Sequence, residues 1–158
     1  MSGKFLYCPI HFVWSTAKRE PMIDPAWKDR LYSYIGGVLG KKDAKLICAG
    51  GVSDHVHLLV SMPSTITIAD LVNVMKSNSS KWVHRTFPKS RSFGWQEGYG
   101  GFAVSKSAEK DVIDYIKNQE HHHHDRGFKK EFVVLLDKHE IEYGAFITVG
   151  SRVSGERG

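Results

Sequence analysis

The chain has little of what stabilises small secreted proteins or anchors proteins in membranes. Its 158 residues include only 2 cysteines, Cys8 and Cys48, which lie far apart in apolar stretches. This spacing disfavours a disulfide framework and indicates buried thiols in a reducing compartment. No apolar run approaches the roughly 18–20 residues of a membrane span, and the N-terminus lacks the apolar stretch of a signal peptide. We therefore expect a soluble, cytoplasmic protein.

What the chain does contain is enough apolar material for one packed domain. Hydrophobic residues make up 41% and charged residues 25% of the sequence, which excludes wholesale disorder. The 22 Lys and Arg residues exceed the 17 Asp and Glu residues, so the formal net charge is +5. This excess favours an anionic partner, but only mildly, because many basic domains bind no nucleic acid.

Hydrophobic periodicity predicts four strands and four helices. We expect strands at 5–16, 45–49, 55–62 and 102–105, and helices at 25–41, 67–87, from 107 toward 121–124, and at 128–139. A Gly-Gly pair in the segment 50–54 predicts a tight reversal between the second and third strands. The order predicts an α+β, ferredoxin-like or RRM-like β-α-β-β-α-β sandwich, with an antiparallel sheet and helices on one face. Such a fold does not by itself define a function.

The third predicted strand carries a His-x-His motif. Because side chains alternate along a strand, Val56, Leu58 and Val60 share one face, and His55 and His57 share the other. Two imidazoles at this spacing can hold one metal ion, although an isolated pair is more often exposed and without a ligand. The apolar opposite face favours the metal site. We expect both histidines to project away from the core, so that their loss opens no cavity.

The third predicted helix carries a tyrosine and an amide one turn apart. Tyr115 and Gln119 stand at i and i+4, so both face the same side of the helix. The bland alternative is a tyrosine at the edge of the core with its hydroxyl in water. Paired with an amide that could complete a two-histidine metal site, the phenol is a candidate nucleophile, but it needs activation because its ordinary pKa is about 10.

Two further clusters are basic or rich in histidine. Cations that neutralise phosphates and aromatic rings that stack on bases are interleaved in one region, for which a solvated helix face is an equally good explanation. Its members are Lys76, Lys81, Trp82, His84, Arg85, Lys89, Arg91, Phe93 and Trp95. For the histidine run at 121–124 we favour a polar helix end over a second metal site.

At these residues the chain resembles a known family, the single-tyrosine HUH transposases of the IS200/IS605 type. His55-Val56-His57 resembles the HUH motif, and Tyr115 with Gln119 resembles the nucleophile helix. The agreement extends over roughly residues 5–143 in one order. Four further stretches share it: VWST at 13–16, GGVSD at 50–54, WQEGYG at 95–100 and NQEHH at 118–122.

The resemblance implies a mechanism. His55, His57 and Gln119 would hold Mg²⁺ or Mn²⁺, although imidazole-rich sites often prefer Mn²⁺ or Zn²⁺. Tyr115 would attack a phosphorus of single-stranded DNA, which leaves a 5′-phosphotyrosine and a free 3′-hydroxyl. It further implies a homodimer that recognises hairpin ends of a mobile element, with the tyrosine helix serving either its own or the partner's histidines.

The resemblance also divides the chain and leaves alternatives. We expect a catalytic domain at 1–143 and a disordered, atypical tail at 144–158, in a cytoplasmic protein that is nucleoid-associated when bound to DNA. One alternative is a catalytically silent module of the same fold that binds single-stranded nucleic acid. Another is a two-histidine metal hydrolase that uses bound water. The pairing of Tyr115 with Gln119 favours the transposase, because binding alone needs neither residue.

Overall fold

A computed structural model of the chain describes residues 5–119 and 127–141. Within these ranges it has four strands and four α-helices: β1 Pro9–Ser15, α1 Lys28–Gly40, β2 Lys45–Val52, β3 His55–Ser61, α2 Ile68–Thr86, β4 Gly100–Ala103, α3 Glu109–Lys117 and α4 Phe128–Lys138. The predicted β-α-β-β-α-β order and α+β class are confirmed. The histidine run at 121–124 and the tail at 144–158 lie outside the described residues. None of the described helices has the length and apolar character needed to cross a membrane.

The four strands form one antiparallel sheet in the order β2-β3-β1-β4. In the pairing of β1 with β3, Val13 lies opposite His57 and Ser15 lies opposite His55. Because paired residues point to the same side of a sheet, the two histidines share a face with the odd-numbered residues of β1, which include His11. The register therefore brings three imidazoles to one side of the sheet.

Helices α1 and α2 cover the other face, as predicted for the two crossover helices. Helix α2 begins after Thr67, whose side chain accepts a hydrogen bond from the backbone N–H of Asp70. The apolar core beneath these helices comes from alternate strand residues and from one side of each helix. It includes Ile10, Phe12, Trp14, Leu31, Ile35, Leu39, Val56, Leu58, Val60, Leu71 and Met75.

Helices α3 and α4 pack against the histidine face, so the described helices cover both faces of the sheet and not the one face that was expected. Their apolar side chains form two smaller clusters with the sheet, one around Phe102 and Phe128 and one around Leu59 and Ile116. The prediction that both histidines project away from the core is therefore wrong. Both have 0% exposed surface, and the ring of Phe128 on α4 lies 4.9 Å from that of His55, centroid to centroid.

Strand β2 continues three residues past its predicted end at 49, and only Ser53 and Asp54 form the turn before β3. The Gly-Gly pair is thus not the reversal itself. A Cβ atom on Gly50 would overlap the backbone carbonyl of Ile116, so the missing side chain lets α3 cross close over β2. Gly100 on β4 likewise leaves room for the ring of Phe132 on α4.

Candidate metal and nucleophile site

The two histidines of β3 meet a carboxylate from α4. Oε1 of Glu131 lies 2.6 Å from Nε2 of His57 and 3.3 Å from Nε2 of His55. All three side chains are buried, and their possible ligand atoms lie within 4.8 Å of one another. The histidines predicted as metal ligands are therefore brought together with a third donor.

Glu131 was missed by the sequence reasoning, although a signal was present. It lies three residues after Phe128 and four before Leu135, so it falls on the apolar side of the predicted helix. Burial raises the pKa of this carboxyl, but hydrogen bonds from His55 and His57 outweigh burial and hold the pKa far below its usual range. An ionised carboxylate on a buried helix face requires a cationic partner.

His55 is held from both sides. Its Nδ1 lies 2.8 Å from Oδ1 of Asp54, the residue before it, while its Nε2 faces Glu131. Burial lowers the pKa of His55, yet the hydrogen bonds to Asp54 and Glu131 prevail and raise it to about 9. Without a bound cation, this ring supplies the positive charge that Glu131 needs.

Gln119 reaches the same place. Its Oε1 lies 3.2 Å from Nε2 of His55, and its Nε2 donates to the backbone carbonyl of Tyr115 at 3.3 Å. The side chain is 1% exposed. Because α3 ends at Lys117, Gln119 stands two residues beyond the helix on which it was predicted.

Tyr115 is half-buried on α3 beside the histidines. The centroid of its ring lies 5.6 Å from that of His57, with the rings nearly perpendicular at 85°. The tyrosine also lines a cavity of about 520 Å³ between β4, α3 and α4, with Phe102, Val134 and other side chains. The tyrosine ring thus lies beside the ligand cluster, by which we mean His55, His57, Gln119 and Glu131, and also borders a cavity.

His11 was the second residue missed. Its Nε2 lies 2.8 Å from Nδ1 of His57, on the side of that ring away from Glu131. Burial, together with the neighbouring His57, lowers the pKa of His11 to about 3, so its ring is neutral. The available signal was an imidazole within a strand that is otherwise apolar from Pro9 to Trp14.

The donor set fits a divalent cation. The second carboxylate oxygen of Glu131, Oε2, is buried and has no hydrogen-bond partner among the described residues. Such an orphaned acceptor beside two imidazoles and the amide oxygen of Gln119 is typical of a site that a cation completes. Imidazole nitrogens suit Mn²⁺ or Zn²⁺, while the carboxylate and amide oxygens also suit Mg²⁺.

The predicted DNA-binding residues separate into two groups. Lys81, Arg85 and Arg91 line a surface groove of about 510 Å³ together with His84, and Lys89 is exposed nearby in the chain.

The other two predicted DNA-binding residues, Lys76 and Trp82, have partners within the fold. Lys76 donates through Nζ to the carbonyls of Gln96 at 2.9 Å and Gly98 at 2.5 Å, and Trp82 stacks on Tyr34 with centroids 5.1 Å apart.

Comparison with known proteins identifies the family of this chain. Residues 4–119 match the model of the family described as transposase IS200 like. The chain belongs to the IS200-like transposase family. Its resemblance to that family, first seen in the motif residues, is thereby confirmed, and the family is one of DNA-processing enzymes.

The relatives found by sequence comparison include two transposases of insertion sequences. The transposase of insertion sequence element IS200 from Salmonella typhimurium is 26% identical over 122 residues, which is 71% of this chain and 76% of that protein. The ISDra2 transposase TnpA from Deinococcus radiodurans is 25% identical over 114 residues, covering 69% and 81% of the two chains.

Two solved structures share the fold. A crystal structure of a candidate transposase from Deinococcus radiodurans has a TM-score of 0.60 at 22% identity and covers 75% of this chain and 95% of that one. A REP-associated tyrosine transposase bound to a REP hairpin has a TM-score of 0.52 at 14% identity, covering 73% and 70%.

Proposed function

We propose that this transposase cleaves and rejoins single-stranded DNA through a covalent 5′-phosphotyrosine on Tyr115. The observation that carries the proposal is the convergence of Tyr115, Gln119 and Glu131 on the histidine pair of β3. A binding module needs neither a tyrosine nor a buried ligand cluster at this point.

In this reaction the phenol oxygen of Tyr115 attacks the scissile phosphorus, and the bond from phosphorus to the 3′ oxygen breaks. The phenol loses its proton and the leaving 3′ oxygen gains one, so the strand ends in a free 3′-hydroxyl. Because the energy of the phosphodiester is kept in the tyrosine ester, a new 3′-hydroxyl can reverse the step without ATP.

His55 and His57 would hold a divalent cation, Mg²⁺ or Mn²⁺, with Gln119 as the third ligand expected from sequence and Glu131 as a ligand that the structure adds. When bound, the cation polarises the scissile phosphate and stabilises the charge that develops during cleavage. Asp54 orients the His55 ring through its contact with Nδ1. The buried side chains keep water away from the ligand cluster.

We further propose that the exposed cations lining the groove bind the DNA backbone. Lys81, Arg85 and Arg91 offer cationic groups for phosphates, and Lys89 extends the same basic segment. Since one protein of this fold is described bound to a hairpin, we propose hairpin ends of a mobile element as the DNA partner. A homodimer fits the family resemblance.

The test is capture of the covalent adduct on a denaturing gel. Because the downstream fragment stays on the tyrosine, a random-sequence single-stranded pool labelled at its 3′ end reports the product. We expect a labelled protein band with Mn²⁺ and the wild-type chain, and none with Tyr115→Phe or with EDTA.

Tyr99→Phe is the matched control, because Tyr99 is an exposed tyrosine outside the ligand cluster. It should form the adduct at the wild-type level. An adduct that persists in Tyr115→Phe would move the nucleophile elsewhere. No adduct from the wild-type chain with either Mn²⁺ or Mg²⁺ would contradict the proposed reaction.

A further inference from the structure

A third imidazole, that of His11, lies behind His57 on the side away from Glu131. His11 on β1 is 3% exposed, and its Nε2 lies 2.8 Å from Nδ1 of His57. Their ring centroids are 5.0 Å apart and tilted by 31°. The opposite nitrogen of His57, Nε2, is the atom directed at Glu131. His57 is therefore held at both ends, by a histidine from a neighbouring strand and by a carboxylate from a helix.

The contact matters because of where protons must be. A neutral imidazole carries one N–H, and a nitrogen that ligates a metal carries none. If Nε2 of His57 binds a cation, its remaining proton is on Nδ1, where it needs an acceptor in this buried place. Nε2 of His11 is at hydrogen-bond distance to accept it, provided that His11 carries its own proton on Nδ1.

We propose that His11 is a positioning residue for the metal site: by accepting the Nδ1–H of His57 it fixes the tautomer and ring orientation that present Nε2 to the cation. This inference rests on the proposed metal site and adds to it a residue outside the ligand set. Groups that accept the second N–H of a ligating histidine orient the ring and raise its basicity. His11 donates no ligand of its own.

The alternative is that His11, on the face of β1 beneath α3, has only a packing role. Two substitutions separate these roles. His11→Gln keeps a polar atom near the place of Nε2, whereas His11→Leu keeps apolar bulk and removes the acceptor. Phe12→Leu is the matched control, because Phe12 is adjacent in β1 and fully buried on the opposite face.

The first measurement is the affinity of the full chain for Zn²⁺, determined by calorimetry in the absence of DNA. The second is the midpoint temperature of thermal unfolding of each variant without metal. We expect His11→Leu to bind Zn²⁺ about 10–100-fold more weakly than wild type, as for other losses behind a metal ligand. His11→Gln should bind close to wild type. Phe12→Leu should melt earlier with unchanged affinity.

A spectroscopic arm uses only the wild-type chain and decides the matter if His11→Leu fails to fold. Ring ¹⁵N spectra of the Zn²⁺-loaded protein should show His57 protonated at Nδ1. Wild-type affinity in His11→Leu, or an unprotonated Nδ1 on His57, would overturn the inference while leaving the metal site in place. No Zn²⁺ binding by wild type would overturn the metal site and the inference together, and adduct formation would still test Tyr115 separately.

Discussion

The two faces of the sheet present different kinds of side chain to the helices that cover them. Beneath α1 and α2 the strands present large apolar side chains such as Phe12, Trp14 and Leu58, which interlock with apolar helix residues. Beneath α3 and α4 the same strands present His11, His57 and other polar groups. The first face is stabilised by removing apolar surface from water, and the second also depends on pairing buried charge.

This difference shows that burial alone does not distinguish the residues of the apolar core from those of the candidate site. Leu58 and His57 are neighbours in β3 and are both fully buried, yet only His57 belongs to the candidate metal site. Apolar packing tolerates conservative exchange of side chains. The histidine face has less tolerance, because each substitution there removes a hydrogen bond from a buried polar or charged group.

The largest effect should come from substituting these two neighbours in turn. His57→Ala should abolish cation binding and adduct formation. It should also lower the free energy of unfolding by about 1–3 kcal/mol, because Oε1 of Glu131 loses its shortest hydrogen bond while His55 still compensates the charge. Leu58→Ala should lower it by about 2–5 kcal/mol and leave metal affinity intact. Urea denaturation in EDTA and calorimetry with Mn²⁺ measure both quantities.

This replaces the expectation that loss of either strand histidine opens no cavity and largely preserves the fold. If His57→Ala unfolds at the wild-type urea concentration, the imidazole–carboxylate contact does not stabilise the fold. Apolar packing of the helices would then be the main source of stability on both faces of the sheet.

The next effect concerns how α3 reaches the histidine face. Gly50→Ala should displace α3, because the added methyl overlaps the carbonyl of Ile116. Overpacking of this kind destabilises by about 1–3 kcal/mol. A shift of about 1 Å at the reacting groups can cost roughly 100-fold in rate, so adduct formation should fall by that order.

Gly37→Ala serves as the control for the added methyl group. Gly37 lies inside α1, and a Cβ atom added there would meet no other atom within 4 Å, so alanine should stabilise the helix by about 0.5–1 kcal/mol. Equal activity in Gly50→Ala and Gly37→Ala would show that the close crossing of α3 does not set the position of Tyr115.

The sequence was sufficient for the order of elements and for most of the residues that meet at the candidate site. Alternation in β3 separated the histidines from Val56 and Leu58. The i, i+4 spacing predicted that Gln119 lies near Tyr115, which the structure shows although α3 ends at Lys117. Both inferences use local geometry, which a single sequence carries.

What could not be predicted depends on contacts between distant segments. Glu131 reaches His57 across 74 positions of chain, and His11 reaches it across 46. Neither contact follows from local periodicity, because each needs the docking of α4 or the register of β1 against β3. The burial of the histidines was missed for the same reason.

A smaller effect should follow from removing one neutral ligand. Gln119→Ala should cut the rate of adduct formation by at least about 10–100-fold and raise the Mn²⁺ concentration needed for half-maximal activity. An amide leaves the cation strongly electrophilic, and its oxygen lies beside His55. Metal-free binding of single-stranded DNA should barely change. A wild-type Mn²⁺ titration in this variant would remove Gln119 from the ligand set.

The smallest effect is expected outside both faces, on the surface groove. Lys81→Ala and Arg85→Ala should each weaken binding of single-stranded DNA and reduce the slope of log affinity against log salt by about 1. Lys42→Ala, an exposed cation in the turn after α1, is the control and should keep the slope. Fluorescence anisotropy over a salt series measures it, and an unchanged slope in both groove variants would place the DNA elsewhere.

The crossing of α3 over β2 has a consequence for how this chain can lose the arrangement of its candidate site. The position of Tyr115 on α3 depends on the lack of a side chain at Gly50, because a Cβ atom there would collide with the backbone carbonyl of Ile116. A gene copy could therefore decay silently, retaining each motif histidine, the tyrosine and the glutamine while a single codon at position 50 drifts from glycine. Such a copy would keep every candidate site residue and yet encode them in a disassembled arrangement.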